Sequence, residues 1–176
     1  MADNKIFKVS LSGLFAAIIA VFTAFVKINT GINNGYLHFG DSMIYLAGCL
    51  IGPYALLSSA IGGALADILS GSAIWAIPTA IIKIFNCLPF VLATSFYQKK
   101  KCKRKIVNTA TVSMTILSAI ITVLGYLLAE SLMYSFASAV TSVPFSVFQG
   151  VGSAIIFVFV GLALDRINVY KYIAKR

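Results

Sequence analysis

Few side chains in this 176-residue chain can do chemistry: it has five Asp and Glu, one His and three Cys in a sequence that is 60% hydrophobic. A charge inside an apolar run is costly, so each one calls for a partner or a task. Asp67 lies before the Ser72-Ala73-Ile74 link and Lys83 after it. At a rise of ~1.5 Å per residue both fall ~9–14 Å below that link on adjacent antiparallel helices. The spacing predicts an Asp67–Lys83 pair, either a neutralised ion pair or one with a member available to a ligand. Asp41 follows His38-Phe39-Gly40 at a helix start, where a carboxylate can cap free backbone N–H groups. Lys27 and Asp41 flank the same loop, and their attraction can draw its ends together. Glu130 has Tyr126 and Tyr134 four residues to either side, on one helical face.

These groups gain meaning if the chain brings them together. Asn33, Tyr36 and His38 come from the first loop, Asn86 lies one turn below Lys83, and Ser146 and Gln149 open the last long apolar run. With Asp67, Lys83, Tyr126, Glu130 and Tyr134 they suit a small, flat, polar ring, because aromatic walls stack and scattered donors and acceptors orient. Trp75 has two readings, a residue of the membrane-interface belt or a wall of this cavity. A metal site is not expected: there is no second His, and Cys49, Cys87 and Cys102 form no CxxC pair. The chain also has no Gly-Lys of a nucleotide loop, no HExxH and no GxSxG, so it carries no visible catalytic centre.

The elements that must position these residues are membrane helices. Only 11% of the residues are charged and the mean hydropathy is +0.95, far from the roughly one-quarter charged composition of soluble domains. Hydrophobic segments lie near 7–27, 41–54, 55–71, 75–97, 106–134 and 144–166, and predict an all-α integral membrane protein of six spans in one domain. Lys5 and Lys8 before an apolar stretch superficially resemble a signal peptide, but the stretch from Phe7 to Val26 is long enough to span. Twelve of the 14 Lys and Arg lie at Lys5 and Lys8, between Lys99 and Lys105, and from Arg166 to Arg176. Six spans place all three clusters and both termini in the cytoplasm, as the positive-inside rule requires, whereas five or seven would split them. The basic run lacks interleaved aromatics and a soluble fold to present it, so nucleic acid is not an expected partner.

The first helix carries Ser12, Ala16, Ala20 and Ala24 at intervals of four, a stripe of small residues on which helices pack closely in lipid. It serves either internal packing or docking of another membrane subunit.

Four passages resemble the S components of energy-coupling factor (ECF) vitamin transporters, in the riboflavin-type branch. They are Tyr36-Leu37-His38-Phe39-Gly40-Asp41, Leu46-Ala47-Gly48-Cys49-Leu50-Ile51-Gly52-Pro53, Gly62-Gly63-Ala64-Leu65-Ala66-Asp67-Ile68-Leu69-Ser70-Gly71 and Trp75-Ala76-Ile77-Pro78-Thr79-Ala80-Ile81-Ile82-Lys83. The resemblance implies a six-helix, multi-pass protein of a bacterial plasma membrane that captures a vitamin at its outer face. It further implies partnership with a transmembrane coupling protein and two cytoplasmic ATPases, which alone use ATP and Mg; this chain would be no enzyme and need no cofactor. In that family the small-residue stripe of helix one meets the coupling protein, here at Ala16 and Ala20, and members topple in the membrane to release substrate inside. The branch suggests riboflavin, pyridoxine or its relatives, hydroxymethylpyrimidine or queuosine-type bases. A small pyridine or pyrimidine is favoured, because the residues offer one Trp and nothing for a phosphate or a long ribityl tail. The competing expectation is an autonomous ion-coupled carrier using Asp67, Lys83 or Glu130, although no hydropathy repeat supports it.

Overall fold

The computed structural model describes residues 2–29, 33, 36–99 and 105–174. Lys100, Lys101, Lys103 and Arg104 of the basic run, and Lys175 and Arg176 of the tail, lie outside the described residues. The chain runs through α1 (Ala2–Ala24), β1 (Lys27–Asn29), β2 (Tyr36–His38), α2 (Gly40–Ile51) and α3 (Tyr54–Leu69). A 3-10 turn (Ala73–Trp75) then leads into α4 (Ala76–Lys99), α5 (Thr109–Met133), α6 (Phe136–Arg166) and a short α7 (Val169–Ala174). The first loop, expected without regular structure, is closed by an antiparallel ribbon in which Lys27 pairs with His38 and Asn29 with Tyr36.

Four helical stretches are long and apolar enough to cross a bilayer: Lys5–Ala24, Ala73–Phe96, Thr109–Met133 and Phe136–Arg166. α2 and α3 are shorter apolar helices. Every one of the 12 residues of α2 is buried, which explains its length: a helix enclosed by others need not match the lipid thickness by itself. Around it the outward side chains are apolar, among them Ile77, Leu132, Phe148 and Phe159, and hydrocarbon is their natural solvent.

In lipid the bundle is held by close packing and interhelical hydrogen bonds rather than by expulsion of water. Tyr45 of α2 stacks on Phe90 of α4 with ring centroids 4.4 Å apart, and Phe157 of α6 meets both edge-on. At the end of the bundle that carries the α4–α5 connection, Asp165 accepts the Ile106 and Val107 N–H groups at 2.8 and 3.0 Å, and the Tyr170 hydroxyl donates to the Cys49 carbonyl at 2.9 Å. Asn108 caps α5 through a reciprocal box with Thr111, so the chain enters that helix at a fixed angle. α6 begins at Phe136 rather than near residue 144, with Pro144 inside it. A proline that would break a soluble helix is tolerated where neighbouring helices satisfy the freed backbone groups.

The small-residue stripe of α1 is spent inside the molecule. Ser12, Ala16, Ala20 and Ala24 are all buried. Ser12 Oγ lies 2.8 Å from Ser58 Oγ and donates to the Tyr54 carbonyl at 3.1 Å. A Cβ on Gly62 of α3 would stand 2.7 Å from the Ala16 carbonyl oxygen and 2.8 Å from Ile19 Cβ. The docking reading of Ala16 and Ala20 is therefore corrected: their methyl groups let α3 approach and offer no free surface. The outward face of α1 carries Gly13 and Ala17 instead.

This contact makes a direct prediction. Gly62→Leu overpacks the α1–α3 seam and should cost about 1–3 kcal/mol or more, read as a lower thermal midpoint of the purified protein in detergent. Gly13→Leu, where nothing lies within 4 Å, should leave the midpoint unchanged or slightly raised. Equal midpoints for the two variants would contradict the seam.

Candidate functional site

The deepest charge in the bundle is a single pair. Lys83 Nζ of α4 lies 2.5 Å from Asp41 Oδ1 at the start of α2, with both side chains shut off from solvent. Lys83 thus pairs with Asp41 and not with Asp67, correcting the pair read from the α3–α4 link. α2 lies against α4 as well as α3 does, and its first turn reaches the level of Lys83. The capping role expected of Asp41 is also corrected, since the N-terminus of α2 has no side-chain cap. The second oxygen of Asp41 accepts from Gln149 Nε2 of α6 at 3.0 Å, and Gln149 Oε1 in turn accepts the His38 N–H at 3.4 Å. Three helices and the ribbon therefore meet at one carboxylate.

His38 closes the chain of contacts. Its Nδ1 accepts the Gly40 N–H at 3.1 Å, which places the proton of the neutral ring on Nε2. Gly40 must be glycine here, because a Cβ would lie 1.9 Å from Thr23 Oγ1. Burial, aided by the Lys83 charge and opposed by that of Asp41, pushes the His38 imidazole down to about 3.

A second cluster lies beyond this pair, towards the first loop. Trp75 is buried, with ring centroids 5.9 Å from Tyr126 and 6.2 Å from Tyr134, and its Nε1 donates to the Asn33 carbonyl at 3.2 Å. Its ring is turned into the bundle among these tyrosines rather than outward. Asn33 has φ 52°, in the left-handed region that Asn tolerates better than most residues. Its amide donates to Glu130 Oε2 at 2.7 Å and accepts from Ser138 Oγ at 2.6 Å, while Ser142 also donates to Glu130 Oε2. Tyr36 donates to Asp67 Oδ1 at 2.5 Å, with Lys27 Nζ 4.8 Å from its ring centroid. Tyr126 links the two clusters: its hydroxyl is 3.3 Å from Thr79 Oγ1 and Lys83 Nζ lies 5.5 Å from its ring centroid.

Asn86 stands apart from this arrangement. Its side-chain amide donates to Thr122 Oγ1 at 2.5 Å and its backbone carbonyl accepts from Ser118 Oγ at 2.9 Å, so it fastens α4 to α5 below the pair. Two grooves of 420 and 580 Å³ between α4 and α5, meeting at Phe85 and Ile121, have apolar linings. They share no residue with the polar clusters and face lipid. Among the described residues no group of three or more His, Cys, Asp and Glu is placed to hold a metal.

A family model described as ECF-type riboflavin transporter, S component, matches residues 3–166, nearly the whole chain. The chain belongs to that family. An uncharacterized protein from Pyrococcus woesei is also similar, at 31% identity over 140 residues, covering 78% of this chain and 88% of that one. The protein is therefore a multi-pass membrane protein and the S component of a transporter, acting in vitamin uptake as a substrate-binding subunit.

For this S component, the structure gathers Asn33, Tyr36, Asp67, Trp75, Tyr126, Glu130 and Tyr134 around the aromatic cluster. Lys83, Gln149 and His38 join them through the ion pair. Sequence reasoning missed Thr79, Ser138 and Ser142. The signal for the two serines was present: at i and i+4 they share a helical face, but with α6 expected to start near 144 they read as loop.

The acid response of His38 follows from its buried, neutral ring. Its folded value lies below the ordinary 6.5, so its contribution to stability is complete above about pH 6.5 and is lost as the pH falls towards 3. The thermal midpoint in detergent should therefore decline between pH 6.5 and 4, and His38→Gln should flatten that decline. Parallel profiles for the two proteins would show that His38 is not buried neutral.

Proposed function

We propose that this S component captures a flat, unphosphorylated heteroaromatic vitamin or vitamin precursor at the outer end of a six-span bundle. The observation that carries this reading is the three-ring aromatic cluster of Trp75, Tyr126 and Tyr134. It is set beside an acceptor group, Glu130, that Asn33 and Ser142 hold in place. Rings of this kind stack a planar ligand while fixed polar atoms set its orientation. A phosphate has no counterpart here, since Lys83 is already neutralised by Asp41. A single pyridine or pyrimidine ring suits a cluster of one Trp and two Tyr with nothing placed for a long ribityl tail. Riboflavin is the second reading, favoured by the family's description.

In this reading α1 to α6 all cross the membrane, with both termini and the α4–α5 connection in the cytoplasm. That arrangement gathers the basic clusters on one side. The chain itself performs no catalysis. Delivery inward depends on a transmembrane coupling protein and on two ATPases that use ATP and Mg. The coupling protein docks on the exposed face of α1 at Gly13 and Ala17, where the absence of bulk lets a second helix approach.

Mass spectrometry of small molecules retained through gentle purification should identify a heteroaromatic compound without phosphate. Ala17→Trp should abolish uptake in cells while leaving that retained ligand in place. A phosphorylated or non-aromatic ligand would overturn the substrate reading, and normal uptake by Ala17→Trp would overturn the docking face.

A further inference from the structure

Away from the polar clusters, α4 and α5 leave a gap on the face they share. The larger groove between them, 580 Å³, runs from Phe85 and Ile121 towards the end of α4 and the start of α5, where Phe96 and Ala110 line it. Pro89, inside α4, lines it and is buried, whereas Phe85, Leu92, Phe96 and Leu117 stand exposed around it. The two helices are joined by residues 99–105, which hold six Lys and Arg and no acidic residue. Lys105, the last of these, is exposed. Asp165 at the same end offsets one charge and is already met by the Ile106 and Val107 N–H groups.

An apolar groove that ends at concentrated positive charge matches an amphiphile, apolar along its length and anionic at its head. A docked helix fits it less well. Helices approach closely in lipid where small residues face one another, and the exposed rim here is Phe and Leu. A helix with its side chains is about 10 Å across, so this volume admits only about one of its turns. We propose that the groove binds an anionic phospholipid, one acyl chain lying between Pro89 and Ala110 and the phosphate meeting the Lys105 ammonium. Attraction between anionic headgroups and each nearby Lys or Arg adds to burial of the chain. A zwitterionic lipid brings the same chains without net charge and gains nothing from the basic run.

Matched lipids separate charge from chain. The full chain in detergent is offered dioleoyl phosphatidylglycerol or dioleoyl phosphatidylcholine at equal concentration and read by native mass spectrometry. It should retain the anionic lipid about fivefold more, the effect of one lysine beside an anionic headgroup. Lys105→Gln should reduce that preference, and so should added salt, by screening. Ala93→Leu fills the groove from α4 and Ala110→Leu fills it from α5. Either should lower retention of both lipids, and the second gives its own reading if the first folds poorly. In native membranes, a diazirine-bearing analogue in place of Leu92 should label phospholipid on illumination. Equal retention of the two lipids would overturn the assignment. So would retention of the anionic lipid unchanged by both groove-filling variants, or a crosslink from position 92 to another membrane protein in place of lipid.

Discussion

The contact between Asp41 and Lys83 is the constraint on which the rest of the structure depends. Neither charge can reach water, so each is tolerable only with the other in place, and losing one partner of such a pair costs about 3–5 kcal/mol. This fixes α2 against α4. The remaining oxygen of Asp41 then recruits Gln149 of α6, whose carbonyl holds the His38 backbone and with it the ribbon beneath the first loop. A hydrophobic contact permits sliding; a buried carboxylate with defined donors does not. The pair thus sets the register of three helices and one loop, and so the floor of the candidate site.

Above that floor the design changes from fixed charge to aromatic surface. The rings of Trp75, in the turn before α4, of Tyr126 in α5 and of Tyr134 just past its end are joined to the loop through Asn33. Asn33 uses both ends of its amide and its backbone carbonyl, contacting α6, α5 and Trp75. A residue in a left-handed conformation with three such contacts sets the position of Glu130 and Trp75 together. The small residues of α1 act at a different scale. By letting α3 approach within backbone distance they hold Asp67 at the depth where Tyr36 meets it.

Much of this was legible in the sequence because charges and tyrosines inside apolar runs have few reasons to be there. Depth along a helix can be counted from sequence, which places Asp67, Lys83, Tyr126 and Glu130 at one end of the bundle. Direction around the helix could not. Asp41 looked like a cap because most helix starts face water, whereas α2 is enclosed on all sides. Ala16 and Ala20 advertised a contact but not with whom, since small-residue stripes serve internal and external packing alike. Pro144 hid the first two turns of α6, and with them Ser138 and Ser142. For Asp41, Ala16 and Ala20 the missing information was which surface a helix turns towards its neighbours, which depends on the whole bundle rather than on local spacing.

The central claim is that one mutually dependent ion pair organises the candidate site. A double-mutant cycle on Asp41→Asn and Lys83→Met, read by unfolding of the purified protein in detergent, tests it most directly. Each single change should be severely destabilising, and the double variant should be more stable than their sum, with a coupling of about 0.5–3 kcal/mol. Simple additivity of the two changes would contradict the account.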